Sequence, residues 1–137
     1  MAECFAGGPV ATEVVGGEIG SASALKMCFA AYSKGSTALA CAVLAAAEGH
    51  GVGTELARAW DRKGPSRTKV QADILLSAPK AWRFVAEMRE IAATLDSAGV
   101  PPGFHEAAAE LYERLRDLKD RDQIALPEVI QRLCRRR

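Results

Sequence analysis

Residues 20–48 read GSASALKMCFAAYSKGSTALACAVLAAAE. They hold no proline and one internal glycine, Gly35, and Ala, Leu, Met and other helix-tolerant residues dominate, so the segment is expected to form one long helix. At 1.5 Å per residue it would be a rod of roughly 40 Å, enough to cross a small domain. Ala and Ser occur on nearly every side, with Leu25, Met27, Phe29, Tyr32, Leu39, Val43 and Leu44 between them. The absence of a broad charged face predicts a helix largely enclosed by other helices. Only Lys26 and Lys34 interrupt it before Glu48. A lysine near the N-terminus of a buried helix is opposed by desolvation and by the helix dipole alike.

The rest of the chain supplies partners for this rod. Its 137 residues, 49% hydrophobic and 26% charged, allow one domain with a real core and argue against disorder. A net charge of +1 gives no field that would attract nucleic acid or an anionic membrane. Two Lys and four Glu precede residue 54, and the remainder carries 16 basic and 13 acidic residues, ending in Arg135, Arg136 and Arg137. Without interleaved aromatics that triplet is a weak nucleic-acid signal, read first as a solvated terminus. Four cysteines without CxxC spacing fit a reducing, cytoplasmic compartment. The uncharged run 35–47 is far short of the ~20 apolar residues of a membrane span, and no basic-then-apolar leader opens the chain. A soluble, unprocessed protein is expected.

Residues 10–15 have strand character between Gly7-Gly8-Pro9 and Gly16-Gly17, which suggests one short strand in an extended lead, residues 1–19. After the long helix, Gly49, Gly51 and Gly53 make a corner, and Thr54 is placed to cap a short helix that ends before Lys63-Gly64-Pro65. Ser66 caps the next. Pro79 opens an amphipathic helix that buries Ala81, Phe84, Val85, Met88, Ile91, Ala92 and Leu95 and stops at Gly99. A helix over about 104–118 and a last one opened by Pro127 follow. The expected fold is all-α: about six helices packed around the one over 20–48, with a helical domain spanning 20–137 and no credible sheet.

No GxGxxG after a strand, no P-loop and no metal-ligand spacing is present, so the residues themselves support no cofactor or metal site. His50, between two glycines, reads as a solvated turn residue. Lys26 has two readings: a side chain whose stem lies along the core and whose head reaches water, or a proton-transfer lysine brought towards working pH by partial desolvation. The small residues Gly20, Ser21, Ala22 and Ser23 before it would let a ligand approach the backbone. His105 stands at a helix start, where free N–H groups suit an anion. Trp82, Arg83 and Glu87 read first as core packing and a surface ion pair, with ligand binding as the second reading.

GSASALKMCFAAYSKGSTAL together with AWRFVAEMREIAATLDSAGVPPGFHEAAAE resembles the C-terminal helical domain of a branch of the β-hydroxyacid dehydrogenases, the superfamily of 6-phosphogluconate and 3-hydroxyisobutyrate dehydrogenases. The resemblance covers nearly the whole chain from about Phe5 and implies the 6-phosphogluconate dehydrogenase C-terminal-domain fold. It makes residues 10–15 similar to the last strand of a preceding dinucleotide-binding domain. It implies that Lys26 exchanges a proton with the substrate hydroxyl, that Ser21 and Ser23 lie near the substrate, that Glu87 faces the cleft, and that His105, in the PxGFH segment, is a candidate substrate-binding residue. Ala30 stands where the wider family usually has an asparagine, and Ala22 replaces a second glycine.

The family's cofactor site uses a Rossmann domain, of which this chain carries none, so NAD or NADP is expected only in a full-length enzyme. What the resemblance implies for this chain is a substrate-binding domain for a small hydroxy acid and a homodimer formed through the long helix, without nucleic acid, membrane or metal. A different class stays open: a stand-alone helical interaction module that has kept the fold without the chemistry.

Overall fold

In a computed structural model, residues 15–134 are described. Among them no strand is formed, and six α-helices follow one another: α1 Ser21–Gly49, α2 Gly53–Lys63, α3 Arg67–Ser77, α4 Ala81–Ser97, α5 Gly103–Glu113 and α6 Leu126–Cys134. The all-α expectation and the count hold. Residues 10–14 of the expected strand and the arginines 135–137 lie outside the described residues.

Local chemistry sets most boundaries. The Ser66 hydroxyl accepts the Lys69 backbone N–H at 3.4 Å and caps α3. Pro79 sits in a single 3₁₀ turn, Ala78–Lys80, that leads into α4. Gly99, at φ 75°, takes the left-handed conformation that ends α4, with its own N–H on the Asp96 carbonyl and the Val100 N–H on that of Leu95. Thr54 does not cap α2: the helix starts one residue earlier, at Gly53, with no side-chain cap. The helix expected over 104–118 stops at Glu113 and resumes as a 3₁₀ turn, Arg116–Leu118.

The core forms where α4 and α5, joined by the turn 98–102 and in the most extensive contact of any two helices, lie against the middle of α1. Val85, Met88 and Ile91 of α4, Ala108, Ala109 and Tyr112 of α5, and Ala30, Ala38 and Cys41 of α1 are buried there, with Ile74, Leu118, Val129 and Leu133 completing it. The α4 stripe reads as expected, with Phe84 and Leu95 at its half-buried edge. Trp82 does not join it. The indole is 36% exposed and carries the Lys119 ammonium 4.4 Å from its ring centroid.

The expectation for α1 requires correction. Only Ala30, Gly35, Thr37, Ala38, Cys41 and Ala47 are buried along it, and none of residues 21–29 is. Leu25, Phe29, Tyr32 and Leu39 are exposed, Phe29 to 77% and Tyr32 to 81%. The five shorter helices gather on one side of a rod longer than they are, and its opposite side is uncharged without being covered. By length and composition α1 would also suffice to cross a membrane, contrary to the estimate from the uncharged run alone, because Lys26 and Lys34 are too few to break the apolar window. Within the domain it packs its buried face against α3, α4, α5 and α6.

This division between faces is testable by urea unfolding. Met88→Ala, at a fully buried site, is expected to cost about 2–5 kcal/mol. Leu76→Ala, on the exposed side of α3, should stay within about 0.5 kcal/mol of the parent.

Candidate functional site

The residues singled out from the sequence fall into two groups on α1. The first occupies its opening turns. Gly20, at φ 98°, precedes the helix, which has no acidic residue in its first turn and no side-chain cap. Ser21 is half-buried, and Ser23 and Lys26 are exposed. Lys26 makes no ion pair among the described residues. It is not the desolvated lysine that enclosure of the helix would have produced, because among the described residues no other element covers these turns.

The second group lies two turns further on, about 12 Å along the axis at 1.5 Å per residue. Here Lys34 of α1 donates to Glu87 of α4 in a half-buried ion pair, with its ammonium 4.8 Å from the Phe84 ring centroid. Glu87 therefore answers Lys34, and the surface pair with Arg83 is not formed; the Arg83 guanidinium lies 5.9 Å from the Trp82 ring instead. From α5 the Tyr112 hydroxyl donates to the Lys34 carbonyl at 2.7 Å, its ring edge-on to Phe84 at 5.3 Å.

Two turns earlier on α5, His105 is 7% exposed and its Nε2 lies 3.2 Å from the Ala31 carbonyl. That contact requires Nε2 to carry the proton, which leaves Nδ1 as a buried acceptor without a partner. His105 thus packs into and orients the α1–α5 contact. Gly35 makes the approach possible: a Cβ there would stand 3.1 Å from both His105 Nε2 and Phe104 Cε1.

A hollow of about 640 Å³ opens beside this group, between α1, α3 and α4, with Phe29, Ser33, Lys34, Lys69, Asp73 and Phe84 in its wall. Phe29, Ser33 and Thr37 follow Lys26 by three, seven and eleven residues, so the α1 side of the hollow continues the helix face that carries Lys26. Ser33, Ser36 and Thr37 donate to the carbonyls four residues back and keep their oxygen lone pairs for other donors. The structure thus brings Glu87 and His105 against the middle of α1 and leaves Ser21, Ser23 and Lys26 together at its start.

Two residues of this region escape sequence reasoning. Lys34 was visible only as a cation in an apolar helix. Tyr112 had a clearer signal, since it follows His105 by seven residues and falls on the same buried stripe as Ala108 and Ala109. Burial raises the Tyr112 phenol well above its ordinary range, with smaller contributions from Cys41 and Glu87. Burial alone pushes the Cys41 thiol from 9.0 up to about 12. Among the described residues no group of His, Cys, Asp and Glu is arranged to hold a metal ion.

Residues 47–115, from the end of α1 through α5, match the family described as Domain of unknown function (DUF1932), over half of the chain. The chain belongs to the DUF1932 family. DUF1932 is the C-terminal helical domain found in 6-phosphogluconate dehydrogenase-like and 3-hydroxyisobutyrate dehydrogenase-related proteins, in agreement with the resemblance read from the residues. No curated protein and no solved structure matches the chain. The DUF1932 match includes Glu87, His105 and Tyr112, while Ser21, Ser23, Lys26 and Lys34 precede it.

The buried thiol and phenol make the DUF1932 core sensitive to alkali. Both hold their protons more tightly in the folded than in the unfolded chain, so their contribution is complete below about pH 9 and is lost as pH rises towards 12. Stability by urea unfolding is expected to fall above pH 9 by about 1.4 kcal/mol per pH unit for each titrating group. Cys41→Ala should flatten the first part of that slope.

Proposed function

We propose that this chain is the substrate-binding and dimerisation domain of an NAD(P)-dependent β-hydroxyacid dehydrogenase, inactive without a dinucleotide-binding domain. DUF1932 membership supports the enzyme class. The observation that carries the reading is the start of α1: small residues and Lys26 on an uncovered surface, continuous with a hollow walled by hydroxyls and Lys34. A surface of that kind is one wall of a cleft.

The described residues contain no strand–glycine loop–helix unit, so they do not fit a nicotinamide dinucleotide. Bound by a separate dinucleotide-binding domain, that group would supply the hydride chemistry. The chain's own contribution is at the substrate hydroxyl. Lys26 takes the hydroxyl proton as the alcohol is oxidised and returns it in the reverse direction, once closure of the cleft removes water from around it. Ser21 and Ser23 hydrogen-bond the substrate beside Lys26. Lys34 and Glu87 neutralise each other, so that pair offers the substrate no net charge. His105 positions α1 by holding its backbone at Ala31.

Dimerisation would use an uncovered stripe that shares Phe29, Tyr32 and Ser36 with the wall of that hollow. Leu25, Phe29, Tyr32, Ser36, Leu39 and Val43 recur at alternating spacings of four and three, the pattern of a helix–helix seam. A second copy laid along it would bury the exposed aromatics.

Lys26→Ala, made in the enzyme that joins this domain to its dinucleotide-binding domain, is expected to lower kcat about 10²–10⁴-fold while the unfolding midpoint stays unchanged, because Lys26 is exposed within the domain. A kcat within a few-fold of the parent would remove Lys26 from the chemistry and favour a helical interaction module.

A further inference from the structure

At the end of α1 remote from Lys26, a hollow of about 790 Å³ lies between α1, α2, α3 and α6. Its size falls within the range of small-molecule sites, and its wall is mainly apolar: Leu44 of α1, Leu56 and Trp60 of α2, Val70 of α3, and Leu126 and Ile130 of α6. Helix α2 has no fully buried residue. Its apolar side, Leu56, Ala57 and Trp60, faces this space instead of a packed neighbour.

The charged groups at the edge are not equally free. Arg67 pairs with Asp61 at 3.1 Å. Glu128 accepts hydrogen bonds from Arg121 and Arg132, and the Arg121 bond in particular holds its carboxyl below the usual range. Glu48 has no ion pair among the described residues. It also stands in the last turn of a 29-residue helix that has no basic residue there. Its carboxylate therefore adds to the negative pole of α1, where a cation would be stabilising. Arg58 does not line this hollow but an adjoining one that shares Glu48, Gly53, Ala57 and Arg67 with it.

We infer that this groove binds an amine with an apolar body, its ammonium at Glu48 and the end of α1 and its apolar part against Trp60, Leu56 and Ile130. The site is separate from the Lys26 surface and stands whether or not the chain belongs to a working dehydrogenase. Carboxylate amphiphiles of the same shape are disfavoured, because Glu48 and the helix end repel them.

Trp60 reports directly on the groove, and Trp82→Phe leaves it as the sole tryptophan of the two in the chain. Fluorescence of that variant would be titrated with 2-phenylethylamine and with 3-phenylpropanoate, which have nearly the same size and opposite charge. The expected result is a saturable change with the amine, with the carboxylate bound at least about fivefold more weakly. Adding Glu48→Gln, at an exposed position that leaves packing untouched, should bring the two to within about twofold. Equal affinities, a response to both probes that never saturates, or a preference that survives Glu48→Gln would overturn the inference. So would light scattering on the same samples, if it showed that the amine binds only after copies of the chain separate, because the groove would then be filled by a second copy.

Discussion

The close approach of α5 to α1 at Gly35 is the constraint on which the rest of the domain depends. Without a Cβ at that point the first turn of α5 can lie against the rod, and two side chains of α5 then reach α1 carbonyls, His105 at Ala31 and Tyr112 at Lys34. Both carbonyls belong to a regular helix, so these bonds are additional to the helical ones and fix the rotation of α5 as well as its distance. With α5 fixed, α4 follows through their shared core, and Glu87 comes to the one cation in the middle of α1. A half-buried lysine and glutamate are costly to separate because each would be left partly desolvated and unpaired. The pair thus specifies the register of α4 on α1 more than it adds to stability.

The same rod is only half used. The core draws on the side of Ala30, Ala38 and Cys41, while the side of Leu25, Phe29, Tyr32 and Leu39 meets solvent. Single exposed apolar residues are ordinary on protein surfaces, whereas a continuous stripe with two aromatics is the kind of surface an interface would use. The opening turns with Lys26 are exposed for a related reason: the rod extends past the helices that pack on it. Both surfaces are what a domain would have if its active cleft and its assembly are completed by other surfaces.

Much of the fold was legible because the signals were local. The Ser66 cap, Pro79 before α4, Gly99 after it and the three-and-four spacing of Val85, Met88 and Ile91 each act within a turn or two. The misreadings came from tertiary context. Absence of charge on α1 points to a covered face, yet composition does not distinguish a face covered by the same chain from one left for something else. Glu87 and Arg83 were paired because they are neighbours on one helix, whereas Lys34 is 53 residues away in sequence and close in space. His105 reads from the sequence as a helix-start residue, and its burial against Gly35 and Ala31 is a tertiary fact. The Thr54 cap failed because the glycine corner lets α2 begin at Gly53. Of the candidate site, the residue types were readable and their division into two groups was not.

The central claim is that the uncharged face of α1 is an interface between copies of this chain. The most direct measurement is the molar mass of the 14.6 kDa chain by light scattering, alongside a variant carrying Phe29→Lys and Leu39→Lys. The expected result is twice 14.6 kDa for the parent and a folded monomer for the variant. A parent that stays monomeric at concentrations well above micromolar, or a variant that still dimerises, would contradict the account.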